Sequence, residues 1–422
     1  MRYWTLPLSC LLLFSSCSKN PVTGESELTL VSEAQEIQLG ESNYELMQQG
    51  EGGAYVTIPE IQKYVQKVGL QLAKVSDRPQ LPYEFVVLNN SIPNAWALPG
   101  GKIGINRGLL VELKTEAELA AVLGHEIVHS AARHSAKQLE KSVLLSAGLL
   151  GMQQVLSNHK YEDVAMGAAA VGAGMVMMKY SRKHELEADK YGIKYMVLAG
   201  YNPQAAVDLQ KTFLRLSEGK QPNWLAGLFA THPPSQERID ANQETVNSYP
   251  SGGKVGAKDY EAAMAPLMKV QPAYDCLNDG YKALKKKDAA AALSLAKKGI
   301  KIEPQEAHLY NLEGKAEVKL KQFHDALASF NKAISLNPNY YDFYLERGQL
   351  KYQMKDSVGA KKDLDKSKEL LPSAEAYLTL GYIALDRGNR DEAIANFKVA
   401  AQADSPAGAE ARAMLKKLTG ES

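Results

Sequence analysis

His125 and His129 stand four residues apart with Glu126 beside the first, a His-Glu-x-x-His pattern in an otherwise apolar stretch. Residues four apart share one face of an α-helix, so both imidazoles can bind one metal ion. Glu126 is rotated about 100° from His125 and can reach a water on that metal. This is the ligand and general-base arrangement of a zinc peptidase. The alternative is a pair of surface histidines on a charged helix. Leu119, Val122, Leu123, Ile127 and Val128 argue against it, because they make the helix apolar around most of its circumference and hence buried. Buried histidines need partners, and a metal is one. Thr115 and Glu118 read as a capping box that opens a helix over 115–139. Gly124 inside that helix costs ~1 kcal/mol against alanine, which points to close approach by another backbone, such as a substrate.

A catalytic zinc keeps one of its four positions for water, so a third protein ligand is needed. A metzincin spacing would require glycine at position 132 and histidine at 135, where the chain has Ala132 and Ser135. His134, nine residues past His125, would point to the other side of a continuous helix. It reads as a solvated or capping histidine. The better source is Ser-Arg-Lys-His-Glu-Leu-Glu-Ala-Asp at 181–189. Glu185 and Asp189 are four apart and share a face, with Glu187 well round from both. Glu185 is therefore assigned as third ligand. Asp189 becomes the acceptor for a ligating imidazole N–H, which fixes its tautomer. A charged, solvent-facing first turn is the alternative for this segment.

These residues need a frame to hold them. The chain has 422 residues and a formal net charge of +1. That length allows two or three domains, and that charge gives no electrostatic case for a nucleic acid partner. Arg2 precedes an apolar run at 6–14 and then Ser15-Ser16-Cys17. Residues 1–17 read as a lipoprotein signal peptide with Cys17 as the lipidated residue, or else as an ordinary secretory signal. The position three before the Cys holds Phe14 rather than the usual leucine. Ser18 after the Cys favours outer-membrane sorting, by resemblance to enterobacterial lipoproteins. With Cys10 removed and Cys17 acylated, Cys276 stands alone and no intrachain disulfide is available. A second apolar stretch, 164–178, is short for a membrane span and reads as a buried helix.

Residues 18–28 read as a polar tether and 29–246 as a mixed α/β peptidase domain. Within it, 83–88 is a predicted strand, and 94–98 and 102–105 flank Pro99-Gly100-Gly101 as a hairpin. A helix is predicted from Ser181 to Gly200. Residues 247–271, rich in Gly, Ala, Pro and Lys, read as a linker. Beyond it Pro304, Pro338 and Pro372 recur at 34 residues, with Gly280, Gly314, Gly348 and Ala292, Ala326, Ala360 in register. A fourth unit offers Gly381, Ala393, Phe397 and Ala400. This is the tetratricopeptide (TPR) period, so 272–422 is predicted as about four repeats plus a capping helix at 407–418. The fold class expected is an α+β zincin-like metallopeptidase domain followed by an all-α TPR solenoid. Such an array binds extended segments or partner proteins; the alternative is a passive stabilising lid.

Gly124 to His129, the Ser-Arg-x-x-Glu-x-x-Ala-Asp run, and 94–101 with Arg107-Gly108-Leu109-Leu110 together resemble the CAAX prenyl protease/HtpX-like family of zinc gluzincin metallopeptidases. The C-terminal repeats place the resemblance in its periplasmic BepA-like branch. The resemblance covers about 30–246 and implies one Zn2+ per chain and an endopeptidase concerned with envelope protein quality. A further block, Thr231-His232-Pro233-Pro234-Ser235-Gln236-Glu237-Arg238, resembles the family's His-Pro-x-x-x-x-Arg element. His232 could donate to the developing oxyanion with Arg238 assisting, or occupy the water position as a fourth ligand that gates the site. A Pro-rich turn with a surface histidine is the bland alternative.

The mechanism expected has zinc on His125, His129 and Glu185, with Glu126 taking a proton from the attacking water and passing it to the leaving amine. Lys102, Ile103, Gly104 and Ile105 are the expected edge strand on which an extended substrate adds. The reading is a zinc endopeptidase of the periplasm, held to the outer membrane only by lipidated Cys17. Its partners would be unfolded or misassembled envelope proteins and, through the TPR array, outer-membrane assembly machinery. Two rivals are a chaperone or assembly scaffold with a latent peptidase site, and a TPR adaptor with structural zinc. Structural sites usually close with Cys or His ligands and would leave Glu126 without a task.

Overall fold

The computed structural model describes residues 16–138, 180–218 and 226–420. The leader up to residue 15 and the apolar stretch 164–178 lie outside the described residues. An α+β unit precedes an all-helical solenoid. No helix among the described residues is long and apolar enough to cross a membrane.

The tether expected over 18–28 is instead a hairpin. Strands β1 (Ser16–Lys19) and β2 (Ser26–Thr29) pair antiparallel. Asn20 builds the turn: its Oδ1 accepts from the Val22 and Thr23 N–H groups at 2.9 and 3.0 Å. Its Nδ2 donates to the Ala132 carbonyl at 2.9 Å. A polar segment thus becomes ordered because an Asx turn organises it and docks it on a helix end.

Helices α1 (Glu33–Gly50) and α2 (Pro59–Ala73) precede a sheet of β3 (Glu84–Leu88), β4 (Ala95–Leu98) and β5 (Lys102–Asn106). β4 and β5 form the expected hairpin around Pro99–Gly101. Gly100 sits there at φ 75°, and a Cβ on it would lie 2.7 Å from the Ile37 Cα, so only glycine fits. The strand order is β3-β5-β4, with β3 parallel to β5. This corrects the substrate-edge assignment. Lys102, Ile103, Gly104 and Ile105 lie in the middle strand, flanked on both sides, and offer no free edge. The outer side of β3 is also taken: Gln62 bonds the Phe85 carbonyl and the Val87 N–H, and Tyr55 N–H bonds the Val87 carbonyl. The remaining outer strand is β4.

Short α3 (Arg107–Leu110) leads to α4 (Glu116–Ala131), which carries the His-Glu-x-x-His residues. Thr115 caps α4 by accepting from the Glu118 N–H at 3.0 Å. The helix ends well before the expected residue 139. Arg133 adopts φ 63°, and helical geometry resumes only at His134. The break is held by Arg133, whose guanidinium bonds Glu36, the Val31 carbonyl and, at 3.0 Å, Thr29 Oγ1.

Helix α5 (Arg182–Leu198), capped by Ser181, packs across α4. The backbone that Gly124 accommodates is that of α5. A Cβ on Gly124 would lie 3.2 Å from the Gly192 carbonyl oxygen, and one on Gly192 would lie 3.0 Å from the His125 nitrogen. Helices α6 (Gln204–Glu218), α7 (Ala226–Thr231) and α8 (Gln236–Asn247) complete the unit.

The linker expected over 247–271 is largely helix. α9 (Ala257–Lys285) runs through it and buries Tyr260, Met264, Leu267 and Val270 in the main core. Its Ala and Lys residues are good helix formers, and the chain-breaking glycines cluster ahead of it at Gly252, Gly253 and Gly256. The repeats follow as α10 (Ala289–Ile302), α11 (Ala307–Lys319), α12 (Phe323–Leu336), α13 (Tyr341–Gln353), α14 (Ser357–Leu370), α15 (Ala374–Asp386) and α16 (Arg390–Ala400). Ala292, Ala326, Ala360 and Ala393 are fully buried where paired helices cross. α17 (Pro406–Thr419) caps the array and covers its last apolar face.

The Gly124–Gly192 crossing yields a prediction. Gly192→Val forces α5 away from α4, and overpacking of this kind costs about 1–3 kcal/mol. Chemical denaturation should show that loss, together with weaker metal retention. An unchanged midpoint would show that the crossing is not tight.

Candidate metal centre

Three separate chain segments converge on one point. α4 presents His125 and His129 one turn apart, α5 presents Glu185 from its first turn, and the loop after α7 presents His232. The Nε2 atoms of His125 and His129 lie 3.0 Å apart. Each lies 3.5 Å from a different oxygen of Glu185. His232 Nδ1 is 3.1 Å from Glu185 Oε1 and 3.3 Å from His125 Nε2. One ligand atom from each of the four residues lies within 4.8 Å of every other. All four side chains are buried or nearly so.

This donor set fits a divalent metal. His125 donates its Nδ1–H to Asp189 Oδ1 at 2.8 Å, which leaves Nε2 as the ring nitrogen that faces the cluster and is placed to bind a metal. Converging imidazole nitrogens and a carboxylate are satisfied either by shared protons or by a cation among them, and one divalent ion can meet all of them at once. Glu126 Oε2 is buried beside them with no hydrogen-bond partner among the described residues. Its other oxygen lies 3.5 Å from His232 Nε2.

The electrostatics follow from burial and from the neighbours. Burial pushes the Glu126 carboxyl above its ordinary range, against the pull of His232 and His125. Burial likewise holds His129 well below the usual imidazole value. At Glu185 burial works in the upward direction, but the His232 and His125 charges outweigh it and the carboxyl sits well below its ordinary value. At Asp189 burial is outweighed by the Arg238 guanidinium, so that carboxyl is lowered too.

Asp189 lies where the sequence reading set it, against a ligating ring. Arg238, expected to assist at an oxyanion in one reading, is directed at carboxylates. Its Nε and Nη2 each bond Asp189 at 2.7 Å, and its Nη1 meets Glu185 Oε2 at 2.9 Å and the Pro233 carbonyl at 3.2 Å. All three nitrogens are turned to these acceptors, so Arg238 orients the two carboxylates. His134 is neither solvated nor a cap. It is fully buried, with Nδ1 2.9 Å from His129 Nδ1 and Nε2 3.1 Å from Glu187 Oε2. Extrapolating a continuous helix past Arg133 put it on the wrong side. Sequence reasoning also missed Tyr180, whose ring stacks on His129 at 3.7 Å between centroids and whose hydroxyl meets Ser135 Oγ at 2.8 Å. One tyrosine among 21 carries no signal of its own beyond its place just before Ser181. An apolar cavity lined by Leu109, Val122, Ile193, Met196, Leu209 and Phe213 adjoins His125, Glu126 and His232.

The sequence profile of peptidase family M48 matches residues 59–246. Profiles of the TPR repeat and the tetratricopeptide repeat match 314–355 and 374–405. The chain is similar to a putative beta-barrel assembly-enhancing protease of Vibrio cholerae, 28% identical over 216 residues, which are 50% of this chain and 44% of that protein. It is also similar to the mitochondrial metalloendopeptidase OMA1 of Schizosaccharomyces pombe, 35% identical over 187 residues, 43% of this chain and 52% of that protein. The chain thus spans about half the length of the curated relatives it matches. Among solved structures, the first TPR of Spaghetti (RPAP3) bound to an HSP90 peptide is 28% identical, covering 28% of this chain and 95% of its own, with a TM-score of 0.28.

Arg238→Met strips the partner from two buried carboxylates. Breaking a buried ion pair from one side costs about 3–5 kcal/mol. Denaturation of the metal-free protein should show a loss of that order, and a loss under ~1 kcal/mol would mean the pairs are solvated in solution.

Proposed function

We propose that this protein is a zinc endopeptidase of the bacterial cell envelope, because residues 59–246 match the profile of peptidase family M48 and TPR repeats follow them. The observation that carries the reading is the convergence of His125, His129, Glu185 and His232 donors beside the unpartnered Glu126 Oε2. His125 Nε2, His129 Nε2 and the Glu185 carboxylate would hold one zinc ion. When bound, zinc polarises a scissile carbonyl and lowers the pKa of water toward neutrality.

The remaining steps belong to the chain. Glu126 takes a proton from the attacking water as its oxygen bonds to the carbonyl carbon. It then delivers that proton to the amine nitrogen as the C–N bond breaks. Burial that raises the Glu126 carboxyl suits it to hold the proton between the two events. Asp189, held by Arg238, keeps His125 in its ligating tautomer. The outer strand β4 is tied to α4 next to His129, since Ser130 Oγ donates to the Leu98 carbonyl at 2.9 Å.

His232 acts as the gate in this reading. Its Nδ1 sits inside the donor set rather than beside it, which favours a fourth ligand that must leave before substrate enters. The proposed substrate class is misassembled outer-membrane proteins recruited by the TPR array; what supports it is that the Vibrio relative is named for beta-barrel assembly. The proposal includes a periplasmic location with an outer-membrane anchor at Cys17. A chaperone with a latent peptidase site is the second reading, and the inward position of His232 is what favours it.

Glu126→Gln should abolish chelator-sensitive casein cleavage while zinc content, read by elemental analysis, stays near one per chain. Parallel loss of zinc would make Glu126 structural instead. His232→Ala should raise casein cleavage. A loss on the order of a hundredfold would instead assign His232 to stabilising the carbonyl oxygen.

A further inference from the structure

The break at Arg133 turns His134 back beneath the metal helix, and its surroundings there restrict where protons can be. His129 presents Nε2 to the donor cluster, so a ligating His129 must carry its proton on Nδ1. The partner of that Nδ1 is His134 Nδ1, 2.9 Å away, which must then accept. Neutral His134 therefore carries its own proton on Nε2, and that nitrogen lies 3.1 Å from Glu187 Oε2, a carboxylate oxygen. One proton arrangement satisfies all three contacts. The two ligating histidines are thus supported differently. His125 reaches its carboxylate, Asp189, directly, whereas His129 reaches Glu187 through an interposed imidazole.

We propose that His134 is a positioning residue of the metal centre, relaying a hydrogen bond from His129 to Glu187 and so fixing His129 in its metal-binding tautomer. The proposal rests on the zinc reading above. The ring is built into place. His184 stacks on His134 with centroids 4.2 Å apart and an interplanar angle of 11°. Arg133 pins the backbone turn that delivers it. Lys183 Nζ lies 3.5 Å from Glu187 Oε1, which keeps a cation at the far end of the relay. Outer hydrogen bonds of this kind orient a ligating ring and raise its basicity, and their removal typically costs about 10–100-fold in metal affinity.

The test compares His134→Asn with His134→Leu in the full chain. The two side chains have nearly the same shape, but only asparagine places an acceptor where Nδ1 stands. Zinc affinity is read by competition with a chromophoric chelator, and the geometry of the site by the visible absorption of the cobalt-substituted protein. His134→Asn should stay within several-fold of the parent chain with an unchanged cobalt spectrum. His134→Leu should lose about 10–100-fold in affinity and change that spectrum. If the leucine variant does not fold, Glu187→Met, which removes the acceptor at the far end, supplies the comparison, with a loss in the same direction expected. Equal zinc affinity in the asparagine and leucine variants, or an unaltered affinity in Glu187→Met, overturns the relay. A parent chain that takes up no zinc overturns the metal reading beneath it.

Discussion

The backbone contact between Gly124 on α4 and Gly192 on α5 is the constraint from which the centre follows. Two helices whose glycines touch can cross more closely than helices separated by side chains. That approach carries Glu185 and Asp189, seven and three residues before Gly192, onto His125 and His129. A wider crossing would separate ligand atoms that now sit within 4.8 Å of one another. The glycine that weakens α4 as an isolated helix is therefore what makes the tertiary site possible.

Charge then determines what the site can hold. Glu126, Glu185 and Asp189 are three buried carboxylates, and Arg238 is the guanidinium that faces them. With all ionised, two negative charges remain uncompensated in a low-dielectric interior, a costly state. A divalent cation balances that charge, and the neutral imidazoles complete its coordination without altering the balance. The upward shift of Glu126 has the same origin. Arg238 gives its hydrogen bonds to Asp189 and Glu185, and at Glu126 burial outweighs the pull of His232 and His125.

What was readable in the chain is what local spacing controls. His125 and His129 declare themselves because i and i+4 suffice to put them on one face, and Glu185 and Asp189 by the same rule. The repeats were readable because prolines and glycines return every 34 residues. What was not readable depends on contacts across the fold. His134 joins the centre only because Arg133 accepts φ 63°, a conformation held by residues of the N-terminal hairpin segment and α1. From sequence, β5 reads as an edge because the hairpin with β4 is local, whereas its second neighbour, β3, arrives parallel from earlier in the chain. An oxyanion role for Arg238 is one of the two readings its motif allows, because the motif gives proximity to His232 but not the direction of the guanidinium.

The same distinction governs the relation between the two units. A flexible linker would leave the solenoid free to swing, and α9 removes that freedom. Tyr260 on α9 donates to the Leu110 carbonyl at 2.6 Å, just ahead of the metal helix. Lys254, before α9, meets Glu116 in the first turn of α4 at 2.7 Å. Farther along, Glu306 is buried and accepts from Thr57 and Asn89 of the peptidase unit and from Tyr274 of α9, each at 2.9 Å. Arg107 lies over the Tyr274 ring at 3.4 Å. A buried carboxylate with several donors is expensive to expose, because each broken bond leaves an unsatisfied polar group. The solenoid is thus held by the apolar core that continues through α9 and by buried polar contacts that would lose their partners on separation. Its orientation toward α4 is consequently a property of the fold rather than of a tether. The first repeats therefore keep one fixed relation to the unit that carries the His/Glu cluster.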